Sequence, residues 1–160
     1  MSDPLTTYLH DHLAASLFAV ELLKNLHEQH DGEPLGAFAA ALLLEVEEDR
    51  QALQRVMDQA GTTTSVLKEA TAWVGEKVSR FKLRHASSGE IGTFEALETL
   101  ALGILGKQAL WPALSVVAPA SVRVRGEDFE ALAARAQAQH ARVEERRLEV
   151  ARIALRAAPE

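Results

Sequence analysis

The chain has 160 residues, 48% of them hydrophobic and 25% charged, which fits one folded domain over 1–160 with a real core and excludes a disordered chain. Its formal charge of −6 gives non-specific nucleic-acid binding no support. It has no cysteine, so disulfides, thiolate metal sites and cysteine nucleophiles are excluded. Ala, Leu, Glu and Arg dominate, and only five prolines and nine glycines interrupt them, so helices are expected throughout. Met1-Ser2-Asp3-Pro4 carries no basic region ahead of an apolar run, and no apolar run reaches about 18 residues. Neither a signal peptide nor a membrane span is therefore expected, and the cytoplasm is the default location.

Asp3-Pro4 opens the first helix, Asp as N-cap and Pro at the first helical position. Its apolar stripe runs Leu5, Leu9, His12 with Leu13, Ser16, Ala19 with Val20, Leu23 and Leu26, and Asp31-Gly32 closes it. Glu33-Pro34 starts the second helix after a short gap, which predicts an antiparallel hairpin. In this helix Phe38, Leu42, Glu45, Asp49, Ala52 and Val56 fall on one stripe at about 100° per residue. Gly61 ends it near Ala60, and Thr64 or Ser65 is the next cap. A third helix over roughly 66–85 turns Val66, Ala70, Trp73 with Val74, and Phe81 inward; residues 86–89 are a loop. The fourth helix begins near Thr93, with a stripe of Phe94, Leu97 with Glu98, Ala101, Ile104 with Leu105, Gln108 and Trp111. Gly103 and Gly106 are read as places of close helix approach, and Pro112 should kink or end the helix. The fifth helix covers about 128–157, its stripe including Phe129, Leu132, Ala136, Gln139 with His140, Val143 and Arg147. The pattern is an all-α, up-down bundle of four long helices and one shorter one, the third being the crossover or extra element.

Five titratable residues lie on or beside stripes meant for burial: His12, Glu45, Asp49, Glu98 and His140, from four helices. Buried carboxylates and imidazoles converging in a bundle are the ligand set of iron- and manganese-carboxylate proteins. The plainer reading is a hydrogen-bonded polar cluster in the core. Lys77 and Lys107 also sit near apolar stripes. If either faces inward it neutralises Glu45, Asp49 or Glu98, and a protein cation then stands where a metal would. An unpaired buried carboxylate would otherwise cost several kcal/mol or take up a proton.

Several segments carry a family resemblance. Tyr8-Leu9-His10-Asp11-His12-Leu13-Ala14-Ala15-Ser16, with Ala19-Val20-Glu21-Leu22-Leu23, resembles the first helix of uncharacterised bacterial members of the ferritin-like superfamily. Leu44-Glu45-Val46-Glu47-Glu48-Asp49-Arg50 resembles their second helix. Trp73-Val74-Gly75-Glu76-Lys77 and Leu102-Gly103-Ile104-Leu105-Gly106-Lys107 are similar to later segments. The resemblance implies a ferritin-like four-helix bundle and names a fold, not an activity.

The departure from that family is specific. A di-iron site of this kind takes a Glu-x-x-His motif from each of two helices and a Glu from each of the others. No Glu here is followed three positions later by His: Glu48 stands in that place after Glu45, Ala101 after Glu98, and His140 precedes Glu144 in reversed order. A mononuclear site of His12, Glu45, Asp49 and His140 is the variant left open. A second comparison is with metal-dependent transferases of the DNA-damage-inducible four-helix type, for which His12, His85 and His140 would be the histidines. His10 and His12 point to different sides of their helix. His27 and His30, three apart, are read as a solvated helix end. The basic run at 77–84 is read as a solvated face.

Two function classes follow. One is a scaffold or interaction protein with a degenerate, metal-free core and no cofactor, self-associating as a homodimer or other homo-oligomer through an apolar helix face, with no nucleic-acid or membrane partner. The other is an iron- or manganese-binding protein or oxidase with an atypical core site. Whether it is an enzyme is left open. No G-x-S-x-G, P-loop or H-E-x-x-H motif is present.

Overall fold

The structure, a computed structural model, describes residues 3–62, 64–85 and 89–156. The described residues are all-helical: α1 (Pro4–Gln29), α2 (Pro34–Ala60), α3 (Thr64–His85), α4 (Gly89–Val117) and α5 (Phe129–Ala154), with a 3-10 turn at Ala118–Ala120. α1, α2, α4 and α5 form a ring of four, in which α1 packs on α2 and α4, and α5 on α4 and α2. Neighbours in the ring run antiparallel. α3 lies outside the ring against α1, as the crossover between the α1–α2 and α4–α5 hairpins.

Local chemistry explains the helix starts. Asp3 caps α1, accepting from the Thr6 backbone N–H at 3.2 Å, and Asp128 caps α5 through the Ala131 N–H at 3.0 Å. Gly61 ends α2 in the left-handed region at φ 76°, where its missing Cβ costs nothing. The α1–α2 turn is closed by His27, whose Nδ1 donates to the Gly36 carbonyl at 3.1 Å, and by His30, which bonds Glu33 at 2.9 Å and the Thr93 hydroxyl of α4 at 3.2 Å. These two histidines therefore hold a turn at the helix end, where His27 stays exposed and His30 is partly buried.

Further expectations are corrected. α4 starts at Gly89 and runs through Pro112 to Val117, so the proline does not end it. Of the loop expected at 86–89, residues 86–88 lie outside the described residues, as does residue 63. Thr64 is the first residue of α3 rather than its cap. Gly103 and Gly106 do not mark close approach: a Cβ at either meets nothing within 4 Å. Trp73 is half-exposed, because α3 buries only the side that carries Ala70 and Val74. α4 also passes, by length and composition, as a helix able to cross a membrane, with mean hydropathy 1.4 over its most apolar window. The sequence reading missed this because Lys107 interrupts the apolar run.

The connection between α4 and α5 is pinned to the end of the α1–α2 hairpin. Val124 is fully buried. Arg123 donates to Asp3 at 2.7 Å and to the Ala60 carbonyl at 2.9 Å, joining the α1 N-cap to the last turn of α2. Its guanidinium holds the Asp3 carboxyl well below the usual carboxylate range. Arg55 of α2 makes a two-pronged bond to Glu127 at 2.5 and 3.2 Å.

The core has two halves. One gathers Leu9, Leu13, Leu53, Met57, Trp111 and Phe129. The other gathers Leu23, Leu26, Leu42, Leu97, Ile104 and Val143. On every ring helix the border between the halves falls at a polar stretch: Ser16 on α1, Asp49 on α2, Lys107 on α4 and Gln139 on α5.

The glycines give the first test. Gly103→Ala and Gly106→Ala should each stabilise by up to about 1 kcal/mol, the helix-propensity gain with no steric penalty. Gly36→Ala should do the opposite, since its Cβ would lie 2.0 Å from the His30 carbonyl oxygen. Urea unfolding midpoints of the three variants check both signs.

Candidate functional site

Asp49 and Gln139 anchor a polar layer across the middle of the bundle. The Asp49 side chain is 2% exposed. Lys107 reaches it from the diagonally opposite helix: its Nζ donates to Asp49 Oδ2 at 2.6 Å and to Gln139 Oε1 at 2.5 Å. Arg135 donates its Nε to Asp49 Oδ1 at 2.9 Å, adds a second, shorter bond from Nη2, and extends Nη1 to Glu48 at 2.8 Å. Gln139 Nε2 donates to Asp49 Oδ2 at 3.0 Å and to Glu45 Oε2 at 3.2 Å. Arg142 grips Glu45 with both terminal nitrogens, at 3.0 and 2.6 Å.

The chemistry is self-consistent. Two carboxylates and one ammonium surround the Gln139 amide, so its NH2 must face the acids and its oxygen the cation. Three acids, Glu45, Glu48 and Asp49, meet three cations, Lys107, Arg135 and Arg142, and the layer is neutral. Burial pushes the Lys107 ammonium below its usual pKa, and Asp49 pulls it back up. The Arg142 guanidinium holds Glu45 below the ordinary carboxylate range, against the opposing effect of burial.

The expected site residues divide. Glu45 and Asp49 come together on Gln139, and Lys107 is the cation facing inward. His12 lines a small cavity of about 20 Å³ with Ser16, Val46 and Lys107, roughly room for one water. Its ring packs edge-on against Tyr8 at 4.6 Å, and burial lowers its pKa. Glu98 does not join them. It is half-exposed on the flank of α4, paired with Arg147 at 3.1 Å, because the buried stripe runs through Leu97, Leu100, Ala101 and Ile104. His140 stands beside Glu144 on α5 rather than in the layer. Lys77 lies outside the core, 5.6 Å over the half-exposed Trp73 ring. The side chain of His85 lies outside the described residues.

Arg135 and Arg142 are core partners that the stripes do not name. A signal was present. Arg135, Gln139 and Arg142 recur at helical spacing on α5, Arg135 opposite Asp49 and Glu48, Gln139 between Asp49 and Glu45, and Arg142 opposite Glu45 on α2. In an antiparallel pair, rising numbers on one helix meet falling numbers on the other, and these do.

The residues do not fit a ferritin-type di-metal centre. The Lys107 ammonium and the Gln139 amide occupy the position between the acids, and among the described residues no group of three or more His, Asp and Glu is placed to hold a metal ion. A cleft of about 570 Å³ lies elsewhere, between α1, α3 and α4 and lined by Phe18, Trp73, Lys77, Phe81 and Thr99. No family model, curated protein or solved structure matches the chain.

Two measurements test the layer. Asp49→Ala leaves the buried Lys107 without its carboxylate and should cost about 3–5 kcal/mol, whereas Lys107→Met leaves Asp49 held by Arg135 and should cost less, about 1–3 kcal/mol. Denaturant titration of both variants reads that order. Glu45 titrates below its ordinary 4.5 when folded, so its pairing stabilises above pH 4.5 and is lost as pH falls through the folded value. The stability gap between wild type and Arg142→Met should therefore be constant from pH 7 down to about 4.5 and shrink below it.

Proposed function

We propose that the chain is a ferritin-like helical bundle acting as a scaffold or interaction protein, with a carboxylate core balanced by its own cations in place of a metal. The observation that carries the reading is the Lys107 ammonium seated on Asp49 at 2.6 Å. A metal would have to displace it, because Asp49 already carries both Lys107 and Arg135 and a further positive charge there meets a large Coulomb penalty. Gln139 supports the same reading, since its bonds are used up by Lys107 and the two acids.

A second reading keeps one specific observation. The cavity beside Lys107 is lined by His12, whose lowered pKa favours the neutral imidazole that iron or manganese would bind. The two readings separate on one experiment. Protein purified without a metal-affinity tag is loaded anaerobically with Fe(II), Mn(II) or Zn(II), desalted, and its metal measured by elemental analysis. The proposal expects no stoichiometric retention and no metal-dependent rise in melting temperature. Near-stoichiometric metal, lost in Glu45→Ala, would overturn it.

A further inference from the structure

α4 carries its unused apolar surface on the side turned away from the bundle. Leu102, Leu105, Ala109, Pro112 and Val116 are all exposed, with Leu102 at 64%, Leu105 at 44% and Val116 at 80%. Their spacing alternates three and four residues, the repeat of a helix-pairing seam. The seam runs about 21 Å along the helix. Between Leu102 and Val116 the one charged residue is Lys107, and it turns inward to Asp49; Glu98, one turn before Leu102, is paired with Arg147. Gly106 beside the seam leaves open space where a Cβ would stand.

We propose that this α4 face pairs with the same face of a second copy of the chain, antiparallel, about a two-fold axis at Ala109. The inference names the partner for the interaction role proposed above and rests on that reading. Three features select this occupant and this orientation. A two-fold axis at Ala109 sets Leu102 against the partner's Val116 and Leu105 against the partner's Ala113, large against small along the seam, while Ala109 meets Ala109. That small centre permits an interaxial distance near 8 Å. Charge sets the direction. The acids of α4 all stand in its first third, so a parallel pair would bring acid to acid. The antiparallel pair brings them towards the end where the partner's Arg125 follows the helix. Area fits as well: the exposed seam with its neighbour Val117 is on the order of 500 Å² of apolar surface per copy, so the pair buries on the order of 1,000 Å², at the lower bound of a specific dimer. Two identical neutral seams bury one another without stranding a charge.

The chain has no cysteine, so single cysteines report the geometry directly. Sedimentation of the wild type at roughly 50 µM should give the mass of two chains, and Leu102→Glu with Leu105→Lys, both on exposed positions, the mass of one with an unchanged helical circular-dichroism spectrum. A short bismaleimide should link Ala109→Cys to itself, leave Leu102→Cys alone unlinked, and link Leu102→Cys to Val116→Cys when the two are mixed. A wild type with the mass of one chain overturns the proposal. So does self-linking of Leu102→Cys, which would mean a parallel pair, and so does binding of single chains to phosphatidylcholine vesicles through this face. A one-chain mass leaves the metal-free core untouched, and stoichiometric metal leaves the pairing untouched, so the two failures are told apart.

Discussion

One buried carboxylate organises this molecule. Asp49 sits at the mid-height of a four-helix ring, away from water, where an isolated charge is costly enough to neutralise or to unfold the chain. Its partners come from two other helices of the ring, an ammonium from the diagonal α4 and a guanidinium and an amide from the neighbouring α5. None of these groups is satisfied until the helices stand in one register. The layer therefore divides the hydrophobic core into two halves and fixes how those halves are aligned. Apolar layers above and below tolerate sliding by a turn; a turn of slip here would press Asp49 against leucine and strand Lys107. Replacing such a layer by apolar residues often gains stability, so its physical role in this bundle is specificity of register.

Much of this was legible in the chain. Proline at the first helical position, Asp caps and Gly61 marked the helix ends, and the 3.6-residue stripes placed Leu9, Leu13, Leu42, Val56, Leu97 and Ile104 inside. The acids Glu45 and Asp49 announced a polar core, and Lys107 followed as the cation that could answer them. What could not be read was lateral position. Glu98 lies one residue from buried Leu97, and a stripe drawn by eye cannot resolve the 100° that separates them. Trp73 looked inward because tryptophan usually packs, yet α3 meets only α1 and leaves that side open. Arg135 and Arg142 escape a stripe reading because long side chains reach inward while their backbone stays outside.

The polar layer and the outer face of α4 depend on each other. Lys107 is the only charge on the last two-thirds of α4, and its commitment to Asp49 removes it from the surface. The same inward turn that balances the core leaves Leu102, Leu105 and Val116 on an uncharged ridge. A core solution and a surface property thus follow from one side chain, and the high apolar content of α4 is explained without a membrane by two packing faces, one filled within the bundle and one open.

Arg123 carries a consequence for how the molecule comes apart. The α1–α2 and α4–α5 hairpins are each local in sequence, so each forms quickly and without the other. Arg123 spans them, from the second hairpin's connection to the cap of α1 and the final carbonyl of α2, and its partner Asp3 is 120 residues away in the chain. A contact of that range forms after the hairpins have docked, which makes it a late latch. Late contacts govern the rate of opening more than the rate of folding. A half-exposed guanidinium in a connecting loop thus lengthens the lifetime of the assembled bundle modestly, and more than it changes the speed at which the bundle assembles.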